Sequence, residues 1–229
     1  MIDRRAVLGV VLALIVVPAR PSAQQITSPY RFLETRQAAS GHIGYLASGA
    51  GSLGLGPRGA ALFGGRYDIV LSGPFALEAE LAYFSSLRAV WDTVPADTVR
   101  RQIGEADFTI ATASGALRFN LTGPRTYRRL LPYVLFGLGA AVDLSADNEM
   151  EAELPSDVRF DFGTSFTGVL GGGIEWLSGP GVGLRLDARN YLWKVKTPRA
   201  FLRGEQALRL PSDEWTQNFA ISAGLVFHF

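Results

Sequence analysis

From residue 218 to residue 229 the chain reads NFAISAGLVFHF, and its side chains sort by parity. Odd positions carry Phe219, Ile221, Ala223, Leu225, Phe227 and Phe229; even positions carry Asn218, Ala220, Ser222, Gly224, Val226 and His228. Successive side chains of a strand point to opposite faces, so this is a strand with one apolar face and one small or polar face. On a helix the same aromatics would be spread around the whole cylinder. Such a strand constrains the rest of the chain. Its apolar face needs a core or a lipid to cover it, and its backbone needs a partner on each side.

A recurring tetrapeptide supplies the count of partners. LSGP at 71–74, LTGP at 121–124 and LSGP at 177–180 lie 50 and 56 residues apart. Gly tolerates positive φ and Pro fixes its own φ without donating to a ladder, so Gly73-Pro74, Gly123-Pro124 and Gly179-Pro180 mark tight reversals. Each interval holds two alternating segments separated by a longer irregular stretch. The spacing predicts strands at 38–47, 59–71, 75–85, 108–121, 132–144, 164–177, 182–193 and 215–229, joined by three short turns and four longer loops. Parity is clear in 75–84, where Phe75, Leu77, Ala79, Leu81 and Tyr83 oppose Ala76, Glu78, Glu80, Ala82 and Phe84. It is equally clear in 182–193, where Val182, Leu184 and Leu186 oppose Gly183, Arg185, Asp187 and Arg189.

Two architectures accept eight such strands. A soluble barrel turns its apolar face inward around a ligand; a membrane barrel turns it outward to lipid and fills the middle with polar and small groups. The other face here carries Gly, Ala, Ser and opposite charges, and only Lys194 and Lys196 are lysines among 22 basic residues. The strands are long enough for the roughly 9–11 residues that a tilted strand needs to cross a bilayer. Connections alternate short and long. Apolar-face aromatics gather at both strand ends: Tyr45, Phe63, Tyr83, Phe166 and Phe219 toward the long loops, Phe75, Phe119, Trp176, Phe227 and Phe229 toward the turns. Two interfacial girdles account for that arrangement. The expected fold is all-β, an eight-stranded antiparallel up-and-down transmembrane barrel with short periplasmic turns and longer extracellular loops.

The start of the chain agrees with export. Asp3-Arg4-Arg5, the apolar run at 6–17 and PARPSAQQ read as a secretory signal peptide, with cleavage expected after Ala23. The run is too short for a spanning helix of about 20 residues. Residues 24–37 are expected to form a periplasmic segment and 38–229 the barrel. The absence of cysteine removes disulfides, thiol nucleophiles and thiolate metal sites. A formal charge of +1 over 229 residues gives no electrostatic case for nucleic acid.

The final strand resembles the C-terminal insertion signal of bacterial outer-membrane proteins, and the whole mature chain resembles the small eight-stranded OmpA/OmpX-type barrels. That resemblance implies that the barrel-assembly machinery reads Phe229 with Phe227, Leu225 and Ala223 at the alternate places, and that outer-membrane lipid surrounds the protein. The family resemblance carries no subfamily motif, and the expected state is a monomer without cofactor or metal.

Candidate chemistry is sparse. The predicted interior holds Arg66, Arg118, Arg185 and Arg189 against Asp68, Glu78, Glu80, Glu175 and Asp187. Buried charges must be paired, so a structural network is expected, with a narrow gated pore as the alternative. Glu78 and Glu80 share a face, as a glycosidase pair would, but no cleft is apparent. His42 and His228 fall on the interior parity and are expected to meet across the closing seam; without a Ser or carboxylate constellation they make a poor triad, which leaves a lipid-modifying enzyme as a further alternative. The Gly-rich segment at 49–59 lacks the Lys-Ser/Thr and helix of a phosphate loop and reads as a flexible surface loop. Phe201 and the stretch 202–210 are expected to extend a hairpin or form a short surface helix. The expected function is non-enzymatic: envelope structure, or surface interaction through the loops with a partner that no motif identifies.

Overall fold

The computed structural model describes residues 28–93, 100–179, 181–203 and 210–229. The expected signal peptide, residues 1–23, lies outside the described residues. The strands are β1 (Tyr30–Phe32), β2 (Gln37–Ser48), β3 (Ala60–Ser72), β4 (Phe75–Thr93), β5 (Arg100–Asn120), β6 (Arg125–Tyr127), β7 (Leu130–Asp143), β8 (Thr164–Gly179), β9 (Val182–Lys196) and β10 (Asp213–His228). Eight of them close a ring in the order β2-β3-β4-β5-β7-β8-β9-β10, with every neighbour antiparallel. The seam is a continuous ladder from Asn218↔Ser48 to His228↔Ala38. Closure is what allows β10 to run so regularly to its end: both edges of its backbone are paired.

The parity read from the sequence holds around the ring. Leu81, Leu138, Leu186 and Ile221 point outward with 58–68% of their surface exposed, while their neighbours Glu80, Arg185 and Ala220 are buried. The ten girdle aromatics are all outward and exposed. A belt of this composition cannot be left to water and is the surface that acyl chains cover.

Several expectations are corrected. The segment expected as a loop at 91–107 is partly strand, because β4 and β5 stay paired as far as Thr93↔Arg100 and project beyond the ring. The segment 24–37, expected as a connection ahead of the barrel, contains a strand: β1 pairs with β6, the middle of the longest turn. At the third turn the left-handed residue is Gly181 (φ 81°), while Gly179 closes β8 after a bulge. A second glycine after the Gly-Pro pair makes that placement possible; Pro180 lies outside the described residues. Gly73 and Gly123 do take positive φ (57° and 69°) at the other two turns.

The interior is also less uniform than alternation suggested. Its half toward the long loops is apolar. Leu46, Leu62, Phe84, Phe108, Ile110 and Trp193 point in from the ring. Phe84 stacks on Trp193 at 5.8 Å, and Phe162 meets both Phe108 (5.6 Å) and Trp193 (6.3 Å) edge-on. The Gly-rich segment is not a free surface loop: it folds over the ring and buries Leu53 and Leu55 in this cluster. Phe201, within the 3₁₀ turn Arg199–Leu202, is buried there too, and residues 204–209 of the expected hairpin or helix lie outside the described residues.

Leu81 stands midway along the outward face, opposite Gly65 and Ala113. Leu81→Arg is expected to cost about 2–4 kcal/mol when urea unfolding is followed in phospholipid vesicles, against about 0–1 kcal/mol for Phe75→Arg near the interface. Equal costs at the two depths would remove the bilayer from the account.

Candidate functional site

Below the apolar half, the ring is crossed by charge. All nine charged residues singled out in the sequence point inward, and none exposes more than 5% of its surface. Strand register sets the first contacts. Arg66 sits opposite Glu80, and Arg185 opposite Glu175, so two ion pairs form directly across the ladder. Asp68 and Glu78 are also opposite one another, a like-charge pair that would repel if nothing stood between them. Arg185 fills that role. Its guanidinium reaches Asp68 at 2.7 Å, Glu175 at 2.9 Å and Glu78 at 3.4 Å, three carboxylates from three strands.

Arg189 repeats the device one layer nearer the loops. It meets Glu78 at 2.6 Å, Asp187 at 2.8 Å and Glu80 at 3.3 Å. Arg66 bridges Glu80 (2.7 Å) and Asp187 (2.6 Å) and donates to Ser222 (3.2 Å). Arg118 spans Asp68 and Glu175 at 3.5 and 3.3 Å and lies 3.8 Å from the centre of the Tyr133 ring. Tyr191 donates its hydroxyl to Glu80 at 2.9 Å. Guanidinium planes with several donors suit this task better than a single ammonium would.

Room for these side chains comes from glycine. A Cβ on Gly173 would stand 2.6 Å from the Asp187 Cβ, and one on Gly171 would stand 3.0 Å from the Arg189 Cγ. The small residues of β8 are therefore the space into which the long residues of β9 fit.

The histidines do not meet. His42 pairs in register with Gly224, and His228 with Ala38, four residues further along the seam, roughly 13 Å away at strand rise. Each faces a different carboxylate: His42 Nε2 lies 3.5 Å from Glu80, His228 Nε2 2.6 Å from Glu175. No seryl or threonyl hydroxyl completes a triad with either among the described hydrogen bonds. Glu78 and Glu80 are both held by arginines in the buried network, without the open cleft that a sugar would need. Among the described residues no cluster of His and carboxylates is arranged to hold a metal ion.

The turn end is closed by the segment before β2. Gln37 exchanges backbone hydrogen bonds with Phe229 (3.3 and 3.0 Å), and the Leu33 N–H donates to the Pro124 carbonyl (3.1 Å). Because β2 and the β5–β7 connection lie on opposite sides of the ring, residues 33–36 form a strap across its mouth. Beneath Leu33 and Thr35 only about 20 Å³ remains above Asp68, Glu175 and Arg185. Sequence reasoning missed this strap, since the three-residue strand β1 that leads into it and pairs with a distant turn leaves no periodic signal.

Glu175 takes donors from Arg118, Arg185 and His228. Glu175→Ala leaves the buried guanidiniums short of a partner and is expected to destabilise the folded barrel by about 3–5 kcal/mol in urea titrations, with a smaller loss for Glu175→Gln. A loss under about 1 kcal/mol for the alanine variant would mean that water reaches the network.

No protein-family model and no curated protein matches the chain. Solved structures do. The outer membrane protein OprG from Pseudomonas aeruginosa aligns over 89% of this chain and 99% of its own at 11% identity, with a TM-score of 0.56. Neisserial surface protein A aligns over 88% of this chain and 98% of its own at 13% identity, with a TM-score of 0.49. The N-terminal barrel domain of Pseudomonas aeruginosa OprF covers 84% of this chain and 98% of its own at 12% identity, with a TM-score of 0.41. At 11% identity the likeness to OprG speaks for the fold alone, and with the closed ring and outward apolar belt it leads to one statement: the chain has the fold of the small eight-stranded outer-membrane β-barrels.

Proposed function

We propose that the protein is an integral, non-enzymatic barrel of the bacterial outer membrane, a sealed scaffold whose extracellular loops serve envelope structure or surface interaction. The observation that carries this reading is the filling of the ring in three successive layers. The strap covers the periplasmic mouth, the arginine–carboxylate network occupies the middle, and the apolar cluster around Trp193 and Phe162 closes the outer half. A solute path would have to displace all three.

The extracellular side supports a presenting surface. Arg88 on the projecting β4 pairs with Glu151 and lies 5.0 Å from the Phe160 ring, which fixes the 144–163 loop to the hairpin. Arg58 of the Gly-rich segment meets Glu105 at 2.5 Å on β5. Loops held on a rigid scaffold in this way are where binding specificity resides. Export through a signal peptide at 1–23 and insertion by the barrel-assembly machinery, reading Ala223, Leu225, Phe227 and Phe229, belong to the same reading, as does a monomeric state in outer-membrane lipid.

Refolded protein in planar lipid bilayers is expected to stay electrically silent across the accessible voltage range. Discrete, reproducible unitary steps would overturn the sealed scaffold in favour of a gated pore.

A further inference from the structure

The turn end carries a charge that the network does not use. Arg31 on β1, Arg36 on the strap and Arg125, Arg128 and Arg129 in the β5–β7 connection are all exposed. Glu34 is the exposed acid of these two segments. At the loop end Arg58, Arg88, Lys194 and Arg203 each meet a carboxylate, while Arg101, Lys196 and Arg199 are exposed without an aromatic ribbon beneath them among the described contacts.

The arginines sit on an aromatic ribbon. The pairing of β1 with β6 sets Tyr30 opposite Tyr127 and Phe32 opposite Arg125, so these four side chains share one face, and all four are exposed. Thr126 on the other face is buried. The Arg125 guanidinium lies 4.3 Å from the Phe32 ring centre and that of Arg128 lies 5.5 Å from Tyr127. A guanidinium stacked on a ring keeps its edge donors free for an oxyanion. Arg128 and Arg129 both adopt left-handed backbone (φ 50° and 69°), which side chains other than glycine, Asn and Asp rarely do and which positions two neighbouring arginines on a turn.

The ribbon also has a fixed depth. Tyr127 pairs with Leu130, and Leu130 with Trp176 of the turn-end girdle. Both pairings run sideways in the hydrogen-bonding direction, so the Tyr127 end of the ribbon stands about level with the aromatic belt, two strand spacings of roughly 4.8 Å to its side. Exposed Phe and Tyr beside arginine, at the level where acyl chains give way to headgroups, form an interfacial anchor with a cationic rim. A soluble polyanion of the periplasm would give no reason for Phe32 to expose 63% of its surface.

We propose that this ribbon is a docking surface for the phosphate headgroups of anionic phospholipids in the inner leaflet of the outer membrane. The proposal rests on the reading of the chain as an outer-membrane barrel and adds a lipid preference to it. Arg125 and Arg128 hold phosphate oxygens from their aromatic stacks. On the opposite face of the ribbon Arg31, with Arg129, Glu34 and His228, lines a cavity of about 340 Å³ between strap, ribbon and the β8–β9 turn, which gives the rest of the headgroup room beside the phosphate.

The test is native mass spectrometry of the mature barrel released from vesicles of dioleoyl phosphatidylglycerol and dioleoyl phosphatidylcholine in equal amounts. Wild type is expected to retain phosphatidylglycerol roughly tenfold over phosphatidylcholine, and less as ionic strength rises. The R31Q/R125Q/R128N/R129N variant, in which Asn tolerates the left-handed turn, is expected to lose the preference while keeping heat-modifiable gel migration. R31Q/R125Q, which leaves the turn untouched, is expected to show a partial loss, and the loop-end control R101Q/R199Q none. Equal retention of both lipids by wild type, or a preference that survives in the four-arginine variant, overturns the proposal. Binding to isolated cell-wall sacculi that the variant loses, without any lipid preference, overturns it in favour of a wall contact. Failure of wild type to insert into vesicles would instead overturn the membrane reading beneath it.

Discussion

The contact between Arg185 and three carboxylates is the constraint around which the ring is arranged. Asp68 on β3, Glu78 on β4 and Glu175 on β8 belong to distant walls, and one guanidinium on β9 reaches them all. Inside a low-dielectric ring a charge without a partner is expensive, and a pair that is merely close does not recover its desolvation unless further hydrogen bonds complete it. The network meets that condition by sharing: each of Glu78, Glu80, Glu175, Asp68 and Asp187 accepts from at least two donors. Removing any member therefore leaves several groups short at once. The like-charge opposition of Asp68 and Glu78 follows the same logic, since it makes a site that only a cation spanning both can satisfy.

The two ends of the barrel depend on this middle in different ways. Toward the loops the ring widens its demands to apolar packing, and the Gly-rich segment supplies Leu53 and Leu55 from above. Hydrophobic filling there keeps water from the layer of Arg189 and Glu80 and so preserves the strength of the ion pairs. Toward the turns the strap does the corresponding work with few side chains, covering Arg185 and Glu175 with Leu33 and Thr35. The sequence separation of these contacts is large. Arg66 meets Asp187 across 121 residues, and the seam joins the first ring strand to the last. Such a topology forms late and cooperatively, since long loops must close before the pairs reward them.

Parity made the ring legible in the chain. Glu78, Glu80, Arg185 and Arg189 announce an interior because a strand that crosses lipid has only one face on which charge can survive. The Gly-Pro turns gave strand number, because reversal chemistry is local. What escaped was non-local or ambiguous. Phe84 and Trp193 lie on the interior parity, but an aromatic there reads the same whether it plugs a lumen or interrupts it. Leu53 and Leu55 are separated by glycines, and nothing within SLGLG says that the loop folds inward. β1 and its partner β6, three residues each, are below the length at which alternation can be recognised, and the strap follows β1. The histidines were misplaced for a related reason: parity fixes the face, but only the register of Gly224 with His42 fixes the height.

The same network bears on conduction through its energetics. A path along the axis would require at least two of the central arginines to leave their carboxylates. Freeing one partner of a buried pair costs about 3–5 kcal/mol, so two such events cost about 6–10 kcal/mol before the strap or the apolar layer is moved. At 1.4 kcal/mol per decade, an open conformer would make up about one molecule in 10⁴ to 10⁷. A gate of that kind needs a ligand or a field that favours the open state by a comparable amount. Opposed charges that rearrange within one buried layer move little net charge along the axis, so voltage has a weak handle on them. Any opening agent would have to act from the loops, where Arg88 and Glu151 tie the cap to the projecting hairpin, or from the strap, which is tied to the β5–β7 connection at the turn end.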